Sequence, residues 1–225
     1  MRKIKGVIFD LDGTLIDTLE VYIKAFNRGI ERFGLEPISR EKLDTFLNQA
    51  LALETILIEI FPATFQDNEA RSQCLAEIVD AYLELQESDV SLRPGGMEVL
   101  SQLKETGVKI GIVTGRTTSG ETKWLELRRL GIDRFIDCMV TGADAPRKPA
   151  PDGIIKCAQQ LGLSPAECIT VGDSQADIIT GKAAGTITVA IAGGVATEEA
   201  LRQEKPDYII SNLAQLPSLL SSYLN

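Results

Sequence analysis

The sequence predicts an α/β protein: a Rossmann-like parallel sheet core with an inserted all-helical cap domain. Three observations predict it. Short β-branched segments alternate with helical segments from residue 96 to the C-terminus, the pattern of a mostly parallel sheet with helices on both faces. Residues 17–90 carry helical periodicity throughout and no strand pattern. That helical block follows a single apolar strand ending in acids. It therefore interrupts the alternating series and is expected over the edge where such sheets bind ligands. The expected division is a core of residues 1–16 and 92–225 and a cap of residues 17–91.

Ile4 to Phe9 is short, β-branched and bounded by an acidic turn, which predicts a buried first strand. Val21, Ala25, Phe26, Ile30 and Phe33 predict a helix over 18–34, stopped by Gly34. Leu43, Phe46, Leu47, Ala50, Leu51, Leu57 and Ile60 extend the same spacing over 39–60, ahead of Pro62. Leu75, Ile78, Val79, Tyr82 and Leu83 predict a third helix over 67–87. Arg93-Pro94-Gly95-Gly96 is a turn signal. After it, helices are expected at 96–106, 120–130, 151–162, 175–184, 197–204 and 213–222. Strands are expected at 108–113, 136–140, 168–171, 187–191 and 208–210.

Composition narrows the chemistry. The net charge is −9 and the pI about 4.7, which argues against nucleic acid and anionic membranes as partners. An anionic substrate then needs local positive potential from a metal, a lysine or backbone amides. There is no histidine, so histidine triads, HExxH zinc sites and histidine bases are excluded, and proton transfer falls to other side chains. Cys74, Cys138, Cys157 and Cys168 have no metal-ligand spacing. Free thiols and the lack of a signal-like start lead to an expectation of a cytoplasmic protein. No apolar run reaches membrane-spanning length. A monomer or homodimer is expected.

The polar residues at predicted strand ends converge. The first strand runs into Asp10-Leu11-Asp12-Gly13-Thr14, the second into Thr114-Gly115-Arg116 and the fourth into Gly172-Asp173-Ser174-Gln175-Ala176-Asp177. Lys148 precedes a helix in Arg147-Lys148-Pro149. A parallel sheet brings all four segments to one edge. A carboxylate attacks a phosphate poorly because both are anions, and Mg²⁺, which prefers hard oxygen ligands, removes that obstacle. Asp10 is the candidate nucleophile. Asp12 is the candidate acid–base, protonating the leaving alcohol and then activating water. Thr114 is expected to donate to a phosphate oxygen, helped by the amide of Gly115, and Lys148 to neutralise charge. Asp10, Asp173, Asp177 and the main-chain carbonyl of Asp12 are the candidate metal ligands.

Each residue also has a plainer reading. Asp-Gly pairs are common in turns, Asp177 can serve a helix N-terminus, Thr114 can cap a turn, and a lone lysine is usually a solvated charge. The order and spacing of the four segments favour the site.

Phe9-Asp10-Leu11-Asp12-Gly13-Thr14-Leu15, Val113-Thr114-Gly115, Lys148-Pro149 and Val171-Gly172-Asp173-Ser174 with Asp177 resemble the four motifs of the haloacid dehalogenase superfamily. The helical insert is similar to the cap of the subgroup that includes phosphoglycolate phosphatase. The resemblance implies a Mg²⁺-dependent phosphoric monoester hydrolase acting through an aspartyl-phosphate on a small phosphorylated metabolite. Phosphoglycolate leads; inorganic pyrophosphate, sugar phosphates and nucleotides are the alternatives within the family. The presence of Asp12 argues against dehalogenase and phosphonatase chemistry. A receiver-like signalling phospho-acceptor is the alternative from another class, and Asp12 and the cap count against it. Many relatives carry Asn-Lys after the second-motif hydroxyl, where this chain has Gly115-Arg116. Arg116 is therefore expected either to reach a carboxylate or second phosphate on the substrate or to form a surface salt bridge. Glu20, Lys24, Asn48 and Gln49 are the cap candidates for substrate contact.

Overall fold

A computed structural model describes residues 3–224, with the side chains of residues 87, 88, 222 and 224 outside the description. Its centre is a six-stranded sheet. β1 (Gly6–Phe9) lies between β4 (Lys109–Val113) and β6 (Cys168–Gly172); β5 (Cys138–Val140) flanks β4, and β7 (Ile187–Ile191) and β8 (Tyr208–Ile210) extend the other side. Every pairing is parallel. All four residues of β1 are buried, which is why its sequence is continuously apolar rather than alternating.

The chain leaves β1, returns beside it in β4, builds outward to β5, then crosses to the opposite side for β6. The strand order therefore reverses at β1, and the crevice outside its C-terminal end is where doubly wound sheets take ligands. α5 (Gly96–Glu105), α6 (Thr122–Arg129), α7 (Asp152–Gln160), α8 (Gln175–Ala184), α9 (Glu198–Gln203) and α10 (Leu216–Leu224) connect or follow the strands. Buried side chains pack on both faces of the sheet, Val7, Phe9, Ile110 and Ile169 on one and Ile8, Val113, Ile154 and Cys157 on the other.

The helical cap holds α1 (Leu19–Glu31), α2 (Arg40–Leu47), α3 (Leu53–Ile60) and α4 (Asn68–Asp89). It has its own core of Phe26, Ile30, Leu43, Ile56, Leu57, Phe65 and Ile78. A two-stranded antiparallel pair, β2 (Ile16–Asp17) and β3 (Ser91–Leu92), stands where the chain enters and leaves it. Arg93 braces this junction: its guanidinium donates to the carbonyls of Gly13, Gly193 and Ala192 at 2.6, 3.0 and 3.2 Å.

The structure corrects several expected boundaries. The helix expected over 39–60 is two helices, broken across Asn48–Ala52, with Ala50 at φ 55°. A left-handed residue with a side chain costs about 1–2 kcal/mol. The break is offset by Asn48, which accepts from the Gln175 amide at 2.8 Å and donates to the Gln175 side chain at 2.7 Å. Periodicity misses the break because Leu47, Leu51 and Leu53 stay apolar; all three line a cavity. The strand expected at 136–140 shortens to Cys138–Val140 behind a 3-10 turn at Asp133–Phe135. The first strand begins at Gly6 instead of Ile4. The expected helix over 213–222 is a 3-10 turn at Leu213–Gln215 followed by α10.

Candidate active site

Backbone geometry delivers the side chains. The Asp10 amide donates to Val171 O at 2.8 Å and the Thr114 amide to Val140 O at 3.0 Å, so the ladder extends one residue past β1 and β4. Asp10, Thr114 and Asp173 therefore stand side by side at the sheet edge. Asp12 does not continue the strand: Gly13 takes φ 81° and the Leu15 and Ile16 amides fold back to Leu11 O. Asp12 reaches the same cavity from this turn, not from a period-two strand position.

Asp10, Asp173 and Asp177 each present an oxygen within 4.8 Å of the others. Lys148 Nζ donates to Asp10 Oδ1 at 2.5 Å and to Asp177 Oδ1 at 2.6 Å. Asp173 accepts from Thr14 Oγ1 at 2.6 Å and from the Val195 amide at 2.7 Å. A Cβ at Gly13 or at Gly194 would overlap the Asp173 carboxylate, so both positions need glycine for it to sit there. Asp177 combines two of the expected roles. Its Oδ2 accepts from the Ser174 amide and hydroxyl at 3.1 and 2.6 Å, closing a capping box on α8, while its Oδ1 faces Lys148.

Burial pushes the Asp10 carboxyl well above the usual range; Lys148 opposes this, and Asp177, Asp173 and Asp12 add to it. Burial, then Asp177, pushes Asp173 up to about 6. Burial would lower Lys148, but Asp10 and Asp177 outweigh it and raise its pKa. One ammonium thus faces a buried group of carboxylates that it does not fully neutralise. Hard, anionic oxygens in that number suit a small divalent cation. The residues fit Mg²⁺ by donor chemistry. The Asp12 carboxylate lies outside this group of three.

Asp12 instead meets Arg116. Arg116 Nε and Nη2 donate to the two Asp12 oxygens at 2.9 and 2.6 Å, a bidentate pair. Thr18 Oγ1 adds a bond to Asp12 Oδ1 at 2.9 Å. Arg116 also donates to Glu126 Oε2 and Tyr82 OH, both at 2.6 Å, and stacks over the Tyr82 ring. Burial works against the Arg116 charge, and Asp12, Tyr22 and Tyr82 together outweigh it. Four of the five guanidinium N–H donors are taken by protein groups. The Arg116 ion pairs with Asp12 and Glu126 are largely buried and are not a surface salt bridge. Thr114 Oγ1 accepts from the Arg116 amide at 3.2 Å and approaches Asp12 Oδ2 at 3.5 Å. The Gly115 carbonyl accepts from Arg147 Nη1 at 2.7 Å.

These residues open on a cavity of about 430 Å³. Asp10, Asp12, Thr114, Gly115, Arg116, Lys148, Asp173 and Asp177 all line it. Its far wall comes from the cap: Leu47, Leu51, Leu53, Leu75 and Val79. Among the cap candidates, Asn48 bonds the core at Gln175; Glu20 and Lys24 pair with Arg40 and Asp89, and the Gln49 amide donates to Thr45 O. Sequence reasoning gave no role to Tyr22, Tyr82, Glu126 or Arg147. Tyr82 sits in an apolar stripe and reads as core, yet its hydroxyl contacts Arg116. Among the described residues, no helix is long and apolar enough to cross a membrane.

Comparison with known proteins agrees with this geometry. A family model described as haloacid dehalogenase-like hydrolase matches residues 7–191. Pyrophosphatase PpaX of Bacillus mycoides is 32% identical over 227 residues, covering 97% of this chain and 98% of that protein. Pyrophosphatase PpaX of Bacillus pumilus is 30% identical over 220 residues, covering 97% of both. The crystal structure of a predicted phosphoglycolate phosphatase from Haemophilus somnus superposes with a TM-score of 0.87 at 26% identity, covering 98% of this chain and all of that one. With the sheet order, the helical cap and the four motif segments meeting at one edge, these matches put the chain in the haloacid dehalogenase-like hydrolase family.

Proposed function

We propose that the chain is a Mg²⁺-dependent phosphatase that cleaves a small phosphate ester or anhydride through a phosphorylated Asp10. The observation that carries this is the grouping of Asp10, Asp173 and Asp177 at the sheet edge, with Lys148 bridging Asp10 and Asp177. Asp10, Asp173 and Asp177, with the Asp12 carbonyl, are the groups to hold the cation, which when bound lowers the repulsion between carboxylate and phosphate.

Asp10 attacks phosphorus, and the bond to the leaving oxygen breaks as Asp12 gives it a proton. Asp12 then takes a proton from water, and that water releases phosphate and restores Asp10. Lys148 balances the negative charge of the transferred group, and Thr114 with the Gly115 amide donates to its oxygens. Closure of the cap excludes water. The β2–β3 pair supports a division into a core of 1–16 and 92–225 and a cap of 17–91. Four free cysteines fit a reducing, cytoplasmic setting.

The names of the relatives support pyrophosphate as a substrate beside phosphoglycolate. Phosphate release from a panel of esters and anhydrides with Mg²⁺ tests the reading. Repeated turnover is expected, and Asp10→Asn is expected to reduce kcat at least about a thousandfold. Wild-type rates in Asp10→Asn would remove the nucleophile from the account.

A further inference from the structure

We propose that Arg147 forms a second anion subsite, which binds a negatively charged group on the departing half of the substrate. This rests on the phosphatase reading and names the substrate class: a phosphate ester or anhydride whose leaving group is itself a carboxylate or phosphate.

Three cationic side chains line the cavity: Arg116, Arg147 and Lys148. Two are committed. Arg116 is shared among Asp12, Glu126 and Tyr82. Lys148 is held by Asp10 and Asp177. Arg147 differs. Among the described residues it enters no ion pair, its single hydrogen bond goes to the neutral Gly115 carbonyl, and its buried Nε has no acceptor. A buried donor without a partner costs roughly 1–3 kcal/mol, and burial works against the Arg147 charge more than the nearby Glu54 carboxylate supports it. Such groups are uncommon in folded proteins unless ordered water or a ligand completes them.

Position makes the group useful. Arg147 adjoins Lys148, and its Gly115 bond ties it to the loop of Thr114. It therefore stands next to the groups proposed to hold the transferred phosphate, yet is not one of them. The cap lining adds the apolar Leu47, Leu51, Leu53, Leu75 and Val79 and one phenol, Tyr22, but no cation. Glu54 of α3 also lines the cavity and would repel an anion. Arg147 is the remaining cation for a second anion. Its planar donor fork suits either a carboxylate or a phosphate.

The test compares wild type, Arg147→Gln and Arg147→Lys on pyrophosphate, phosphoglycolate and p-nitrophenyl phosphate, whose leaving group carries no second acid. Arg147→Gln is expected to lower kcat/KM for at least one of the first two about tenfold to a hundredfold more than for the third, mainly through KM. The lysine variant is expected to fall between. The substrate with the larger selective loss identifies the anion as phosphate or carboxylate. An equal loss on all three would make Arg147 a brace for the Thr114 loop, and no loss would leave it idle; either result overturns the proposal. If Arg147→Gln does not fold, Arg147→Lys carries the same comparison. A binding measurement separates this proposal from the reaction itself. Asp10→Asn protein is expected to bind pyrophosphate about tenfold tighter than orthophosphate in the same Mg²⁺ buffer, and Arg147→Lys in that background is expected to narrow the gap. An unchanged gap overturns the subsite. Absence of turnover on every substrate defeats only the phosphatase reading.

Discussion

Asp12 and Arg116 meet through two parallel hydrogen bonds, with Glu126 and Tyr82 fixing the guanidinium from the far side. The proposed acid–base is thus fixed in position, and four of the five Arg116 N–H donors are committed to protein groups. Arg116 is therefore a positioning residue. Arg116→Ala is expected to lower kcat about tenfold to a hundredfold with little change in KM, the range of one well-placed charged hydrogen bond. A large rise in KM at unchanged kcat would instead make it a substrate ligand. The sequence marked Arg116 as placed near the site, but its partners lie 34 and 104 residues away in Tyr82 and Asp12. No local pattern pairs them. Asp10, Asp12, Thr114, Lys148, Asp173 and Asp177 were legible because each closes or follows a predicted strand, and strand ends in a parallel sheet share one edge. Arg147 was hidden because its distinguishing feature is a missing partner, which only packing reveals.

At the scale of the elements, the strand series was readable because buried parallel strands are continuously apolar. The β2–β3 pair was not, since two residues per strand leave no periodicity to detect. The break between α2 and α3 was equally hidden, and it has a consequence. Asn48 at the break bonds the first turn of α8, the helix that carries Asp177, through Gln175 and through its own carbonyl to the Ala176 amide. This contact ties the cap to the metal-side edge of the core. Asn48→Ala is expected to lower kcat/KM about fivefold or more, from two hydrogen bonds at roughly 0.5–1.5 kcal/mol each. Thermal stability is expected to change little, since Asn48 is only half-buried. A mutant that melts early at unchanged kcat/KM would show that the contact serves folding and not cap position.

For the molecule as a whole, the cost of gathering carboxylates is a stability statement. Asp173, pushed up to about 6 by burial and Asp177, binds a proton more tightly folded than unfolded, where its value is near 3.8. Protonation then favours the folded state, so for this group the metal-free protein gains stability as pH falls through about 6, and the gain levels off near about 4, where the unfolded carboxylate is protonated too. In the proposed reading a bound Mg²⁺ would supply the missing positive charge, so it is expected to raise the melting temperature more at about pH 7.5 than at about pH 5.5. Asp173→Asn is expected to abolish that increment. Equal shifts at both pH values would separate the cluster from the metal. With a net charge of −9, an anion needs local positive charge to approach, so the cluster and its proposed cation carry the account. The most direct measurement is a crystal structure grown with Mg²⁺ and beryllium trifluoride, a mimic of a carboxyl-bound phosphoryl group. The account predicts beryllium bonded to an Asp10 oxygen beside Lys148, with the cation touching Asp10 and Asp173. A cation bound elsewhere, or fluoride density on a different side chain, would contradict it.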